Sequence, residues 1–67
     1  MPFVTIRITK EHVTSKQKAQ LIEGVTALLQ KVMNKNRATT FVIIEEVETD
    51  NWGIAGKQVS EIRNQEK

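Results

Sequence analysis

The chain has 67 residues, one histidine and no cysteine, with ten basic against eight acidic side chains and a net charge of +2. That length allows one small domain, which buries only about 60% of the surface its unfolded chain exposes. Disulfides and thiolate metal sites are excluded, and a lone histidine, His12, argues against structural zinc. Charges of both signs are interspersed, without the basic stripe of a nucleic-acid binder, and no apolar run suits a signal peptide or membrane span. A soluble, cytoplasmic protein with neither nucleic acid nor membrane as partner is expected. Its remaining route to stability is oligomerisation.

Pro2, the only proline, sits directly behind Met1, where a small second residue permits methionine to be trimmed. Once trimmed, Pro2 carries a free secondary amine at the start of a strand. Such an amine is a base or nucleophile, and an apolar pocket lowers its pKa by disfavouring the ammonium form. The strand follows at once. Val4, Ile6 and Ile8 alternate with Phe3, Thr5 and Arg7, so the aliphatic set faces a core and Arg7 the opposite side. Residues 9–13 form a polar connector, with His12 a solvated loop residue.

Thr14-Ser15-Lys16-Gln17 has the form of a capping box. Behind it, Leu21, Ile22, Val25, Leu28, Leu29 and Val32 recur at helical spacing as one wide apolar stripe. Gly24 inside this helix costs about 1 kcal/mol relative to alanine and would allow close approach to a strand. Asn34-Lys35-Asn36 supplies the left-handed cap and basic side chains that suit a helix C-terminus.

Residues 39–47 hold the apolar run Phe41-Val42-Ile43-Ile44, followed by Glu45-Glu46-Val47. A run without alternation predicts a strand covered on both faces, as in a parallel sheet. Strand, helix and strand make one βαβ unit. Two strands and one helix cannot cover both faces of Phe41 to Ile44, so a partner subunit is expected to share the sheet. Glu45 and Glu46 read as strand-end charges, not a catalytic pair, because neighbours on a strand face opposite ways. Residues 48–51 are a polar turn, and Trp52-Gly53-Ile54-Ala55-Gly56 suits a short hairpin. The fold class is thus α/β: a single domain over residues 1–67 with a short C-terminal hairpin. Residues 58–67 read as a polar arm, apolar only at Val59 and Ile62, of the kind that frays.

Four features stand together: Pro2 opening a strand, the amphipathic helix with Gln17-Lys18 and Leu21-Ile22, the strand Val42-Ile43-Ile44-Glu45-Glu46, and Trp52-Gly53-Ile54-Ala55-Gly56. In that order and spacing they resemble the 4-oxalocrotonate tautomerase family, over the chain as far as about Ile62. The resemblance implies homohexamers built as trimers of βαβ dimers, and keto–enol proton transfer on a small enol or dienol substrate. It also implies an amino-terminal proline as general base, and neither cofactor nor metal. Pro2 matches that proline. Trp52 matches an aromatic position, usually phenylalanine, that keeps the pocket apolar, and Thr9 falls where an aliphatic pocket residue is common.

The departures bear on substrate. Classical members hold a substrate carboxylate with an arginine just after the first strand, where this chain reads Glu11-His12-Val13. A second arginine, which polarises the substrate carbonyl, is matched by Phe41. A phenyl ring supplies neither a bidentate grip nor charge on the oxyanion side, which argues against the dicarboxylate of the namesake enzyme. Arg7, Lys10, Lys35 and Arg37 are candidate replacement cations, with Arg37, leading into the second strand, the best placed to touch substrate. The expected activity is an isomerase acting on a small 2-hydroxydienoate or enol-type acid. The alternatives are proline-dependent hydratase, dehalogenase or decarboxylase chemistry, or a non-catalytic oligomeric binding protein if Met1 is retained.

Overall fold

The computed structural model describes residues 1–65. Its elements run β1 (Phe3–Thr9), α1 (Ser15–Met33), β2 (Phe41–Val47), β3 (Gly53–Ile54), β4 (Lys57–Gln58) and α2 (Val59–Gln65). Short 3-10 turns occupy Arg37–Thr39 and Thr49–Asn51.

α1 begins where the capping box placed it. The Gln17 N–H donates to Thr14 Oγ1 (3.1 Å), and the Thr14 N–H donates to Gln17 Oε1 (2.9 Å). Two otherwise orphaned donors are thereby satisfied. The helix ends at Asn34, whose N–H makes the last i→i−4 bond to the Gln30 carbonyl (3.0 Å) and whose left-handed backbone (φ 54°) turns the Lys35 N–H back to the Leu29 carbonyl (3.4 Å). Gly24 makes no close approach among the described residues: a Cβ there would meet nothing within 4 Å.

β1 and β2 pair in parallel, Phe3 opposite Phe41 through Thr9 opposite Val47. The ladder is closed at one end by the Phe41 N–H donating to the Pro2 carbonyl (3.0 Å), and at the other by the Lys10 N–H donating to the Val47 carbonyl (2.8 Å). Val4, Ile6, Ile8, Val42 and Ile44 are half-buried on the face that meets α1. An ion pair between Lys18 Nζ and Glu46 Oε2 (2.8 Å) ties helix to strand on that side. The opposite face is bare. Phe3 is 61% exposed, and Phe41 and Ile43 are each 48% exposed. Leu28 and Val32 on α1 also stand in solvent, so the apolar stripe is wider than the sheet beneath it.

The C-terminal segment differs from the fraying arm expected of residues 58–67. β3 and β4 form an antiparallel hairpin, turning through Ala55 (φ 53°) and Gly56 (φ 82°), and the chain then enters α2. Both turn residues lie in the left-handed region that a two-residue hairpin loop requires. Val59 and Ile62, three residues apart, give α2 one apolar stripe. Val59 is only 6% exposed, and its N–H donates to the Trp52 carbonyl at 2.8 Å. Ser60 Oγ adds a hydrogen bond to Asp50 Oδ1 (2.5 Å), tying the start of α2 to the turn after β2. The last two residues of the expected arm lie outside the described residues.

The radius of gyration is 15.4 Å, against about 11 Å for a closed domain of this length. The accessible surface is 5295 Å², against roughly 4300 Å² for a folded monomer of this mass. Among the described residues, only Val59 and Thr26 are counted as buried. The chain has the surface of a subunit. Ile43→Glu, which sets a charge in the bare sheet face, is therefore expected to convert an associated wild type into a smaller species in sedimentation. An unchanged sedimentation coefficient would mean that this face is not an interface.

Candidate active site

The residues expected to form a site separate into two groups at opposite ends of the parallel ladder. Pro2, Phe41 and Arg37 lie at the end where both strands begin. Pro2 is half-buried, and its carbonyl is fixed by the Phe41 N–H. Met1 precedes it, 81% exposed. Arg37, in the 3-10 turn leading into β2, donates through a terminal nitrogen to Glu23 Oε2 of α1 at 2.5 Å, so its guanidinium is drawn toward the helix.

Thr9 and Trp52 lie at the other end. Thr9 closes β1 opposite Val47, and Trp52 follows the turn that leaves β2. Seven residue steps at about 3.3 Å separate Pro2 from Thr9, or roughly 23 Å. Trp52 borders an open cleft of about 520 Å³, together with Arg7, Glu45, Val47, Asn51 and Gly53. Arg7 Nε donates to Glu45 Oε2 (2.9 Å), its direct cross-strand partner, so this cation stays on the outer sheet face as expected. A second cleft, of about 400 Å³ and bordered by Val13, Gln17, Gln20 and Leu21, contains none of the expected site residues.

Arg63 of α2 joins the Thr9 end, although no sequence motif singles it out. One terminal nitrogen donates to Thr9 Oγ1 (3.4 Å) and, more closely, to Glu11 Oε1. The Arg63 hydrogen bond is the main cause holding the Glu11 carboxyl below the ordinary glutamate range. The Thr9 hydroxyl and the guanidinium charge add to the effect. Next to it, Lys10 pairs with Glu48 (3.1 Å), and that hydrogen bond raises the Lys10 ammonium above its ordinary value. The spacing of Val59 and Ile62 signals a short helix, but nothing in it points to the contact that Arg63 makes with residues more than 50 positions away. His12 sits in the loop before α1 with a left-handed backbone (φ 61°). No cluster of three or more potential metal ligands occurs among the described residues, and no helix among them is long and apolar enough to cross a membrane.

A proline-led parallel βαβ unit, an outer sheet face left open and an aromatic hairpin at the far end define a small α/β subunit of the tautomerase class. The family model described as Tautomerase enzyme matches residues 2–62, and the chain belongs to that family, as an isomerase. It is 66% identical over 65 residues to probable tautomerase K2 of Dickeya dadantii (strain 3937), covering 97% of each chain. It is 34% identical over 62 residues to the 2-hydroxymuconate tautomerase of Bacillus subtilis (strain 168), covering 92% of this chain and 98% of that one. The crystal structure of DmpI from Helicobacter pylori superposes with a TM-score of 0.88 at 46% identity, over 94% of this chain and 97% of that one.

The Glu11–Arg63 pair yields a pH prediction. Because the folded carboxyl titrates below its unfolded value, the pair's contribution to stability is fully present above the ordinary glutamate pKa of about 4.3 and is lost as pH falls through the folded value. Carbon-detected NMR titration should therefore place Glu11 below that ordinary value, and Arg63→Ala should move it back toward that value, with the Thr9 hydroxyl's smaller effect remaining. A Glu11 midpoint at the ordinary value in the wild type would show that the pair does not form in solution.

Proposed function

We propose that this chain is a cofactor-independent tautomerase that moves a proton between oxygen and carbon in a small 2-hydroxydienoate or enol-type carboxylic acid. The Pro2 amine, exposed by removal of Met1, acts as general base. The observation that carries this reading is the position of Pro2: half-buried at the head of β1, with its carbonyl pinned by Phe41 and apolar Phe3 and Phe41 beside it. A secondary amine there has a fixed direction, and once a second copy covers the exposed Phe3 and Phe41 its surround would be apolar, which disfavours the ammonium form and keeps it available as a base.

In the proposed step, the amine takes the enol hydroxyl proton. The oxygen lone pair forms the carbonyl, the double bond shifts along the chain, and the prolinium returns the proton to carbon. Electrons and atoms balance without an oxidant, a reductant or a metal. The similarity to a 2-hydroxymuconate tautomerase supports a hydroxydienoate-type substrate.

A single copy holds Pro2 some 23 Å from Thr9, with Trp52 following the far end of β2, so one chain does not assemble a site containing all three. The sheet order leaves the outer edges of both β1 and β2 open. A two-fold axis across an open edge pairs like strands antiparallel. Across β1, it would bring the Pro2 end of one copy beside the Thr9 and Trp52 end of the other. Across β2, Pro2 of one copy and Thr9 of the other would remain separated by both β2 strands. We therefore favour a dimer joined through β1, assembled further through the bare sheet face. A homohexamer of three such dimers fits this scheme, and in it Phe41 and Arg37 accompany Pro2 while Trp52 and Thr9 come from the neighbour.

With removal of Met1 verified by intact mass, Pro2→Ala is expected to lower kcat/KM for ketonisation of phenylenolpyruvate by about 100-fold or more, the usual contribution of a positioned general base. An unchanged rate in the processed variant would rule out Pro2 as the base.

A further inference from the structure

We propose that Arg63 is the carboxylate-binding cation of this site, delivered from α2 to the end of β1. The inference rests on the tautomerase reading above and deepens it by assigning the residue that grips the acid group of the substrate.

Four other cations named from sequence are committed elsewhere or stand apart. Arg7 lies flat across the sheet on Glu45, Arg37 turns back to Glu23 on α1, and Lys10 pairs with Glu48. Lys35 follows the C-terminus of α1, on the link to β2. Arg63 is also paired, but in a manner that leaves most of it available. A guanidinium has five N–H donors in a rigid planar fork. Here one terminal nitrogen serves both Glu11 Oε1 and Thr9 Oγ1, while Nε and the other terminal nitrogen have no hydrogen-bond partner among the described residues. The side chain remains 46% exposed. Glu11 and Thr9 therefore hold the plane of the guanidinium, and its remaining donors are left to a second carboxylate, the bidentate acceptor that fork geometry fits.

The placement agrees with the rest of the site. α2 starts on the Trp52 carbonyl through Val59, so the indole and the guanidinium are carried on one short unit. Across a two-fold at β1, that unit faces the Pro2 end of the neighbouring copy. An enol acid bound between them would set its carboxylate on Arg63, its carbon chain along Trp52 and its enol proton toward Pro2. The competing possibility is that Arg63 serves only as a strut tying α2 to β1, and the two roles differ in how they depend on substrate charge.

The test compares phenylenolpyruvate with its methyl ester, which keeps the enol and lacks the negative charge. In the processed wild type, Arg63→Ala is expected to raise KM for the acid by roughly 10- to 100-fold, the usual worth of a charge-assisted contact, with kcat changed much less. The same variant should alter kcat/KM for the ester by no more than about 2-fold, because that contact is absent for a neutral ligand. Arg63→Lys, which keeps the charge without the fork, should recover part of the acid's KM. An equal loss on acid and ester would make Arg63 a strut and overturn the assignment. So would an unchanged KM for the acid, or an acid-selective rise in Arg7→Ala with none in Arg63→Ala. Pro2→Ala, run beside these, tests the base separately: if it alone fails to lose activity, the base assignment falls while the Arg63 comparison still reports on carboxylate binding.

Discussion

Side chains along a strand alternate between two faces, and β1 and β2, paired in parallel over seven positions, set two apolar rows back to back. One helix can cover only one of those rows. α1 takes the row of Val4, Ile6, Ile8, Val42 and Ile44, and the row containing Phe3, Phe41 and Ile43 is left in water. At about 25 cal/mol per Å² of apolar surface, that uncovered face is a large unrealised share of the stability open to so short a chain. The same limit explains the excess surface, the extended shape and the near absence of buried side chains. A second copy is the natural cover, because this chain's own remaining segments, the hairpin and α2, are short and spend their apolar contacts on Trp52 and Val59.

The site is tied to the same limit. A parallel pair places both strand starts at one end and both strand ends at the other, so a base on residue 2 and an aromatic wall on residue 52 are kept apart within a chain. On the proposed reading, antiparallel association through β1 resolves this, because it matches the start of one strand to the end of its neighbour. It would also shelter the proline amine, which is only half-buried in the isolated chain and needs an apolar surround for its unprotonated form to persist. Assembly and catalysis would then draw on one surface. A substitution that weakens association would lower activity even where it touches neither Pro2 nor substrate.

Much of the fold is legible in the sequence because its signals are local. The period-2 pattern of Val4, Ile6 and Ile8, the capping box at Thr14 and Gln17, and the unalternating run from Phe41 to Ile44 each specify an element without reference to the others. The bare face was legible too, from simple counting of strands and helices. What local patterning misses is the ordering of α2, since two apolar residues in a polar segment look like a frayed arm until Trp52 and the 3-10 turn after β2 give Val59 somewhere to pack. Arg63 was hidden with it. Its partners Thr9 and Glu11 are more than 50 positions away in sequence, and no spacing rule links a helix residue to a strand end at that range. The Pro2 and Trp52 positions were readable as residues, but their separation within one copy follows from the parallel register and not from any motif.

The ion pairs complete the argument about what holds the site in shape. Arg7–Glu45, Lys10–Glu48, Arg37–Glu23 and Arg63–Glu11 all leave much of both side chains in solvent, and exposed pairs of this kind add about 1 kcal/mol or less each. Their value lies in direction. Each fixes a long, flexible cation that would otherwise sample many rotamers, and three of the four do so on or beside a strand. Lys18–Glu46 is the exception: it is partly shielded between α1 and the sheet, and it helps set the helix on β2. On the proposed reading, a second copy over the outer face would also take solvent from Arg7–Glu45, and its attraction would strengthen as the local dielectric falls. A guanidinium already oriented by one carboxylate then has less freedom to lose on meeting another.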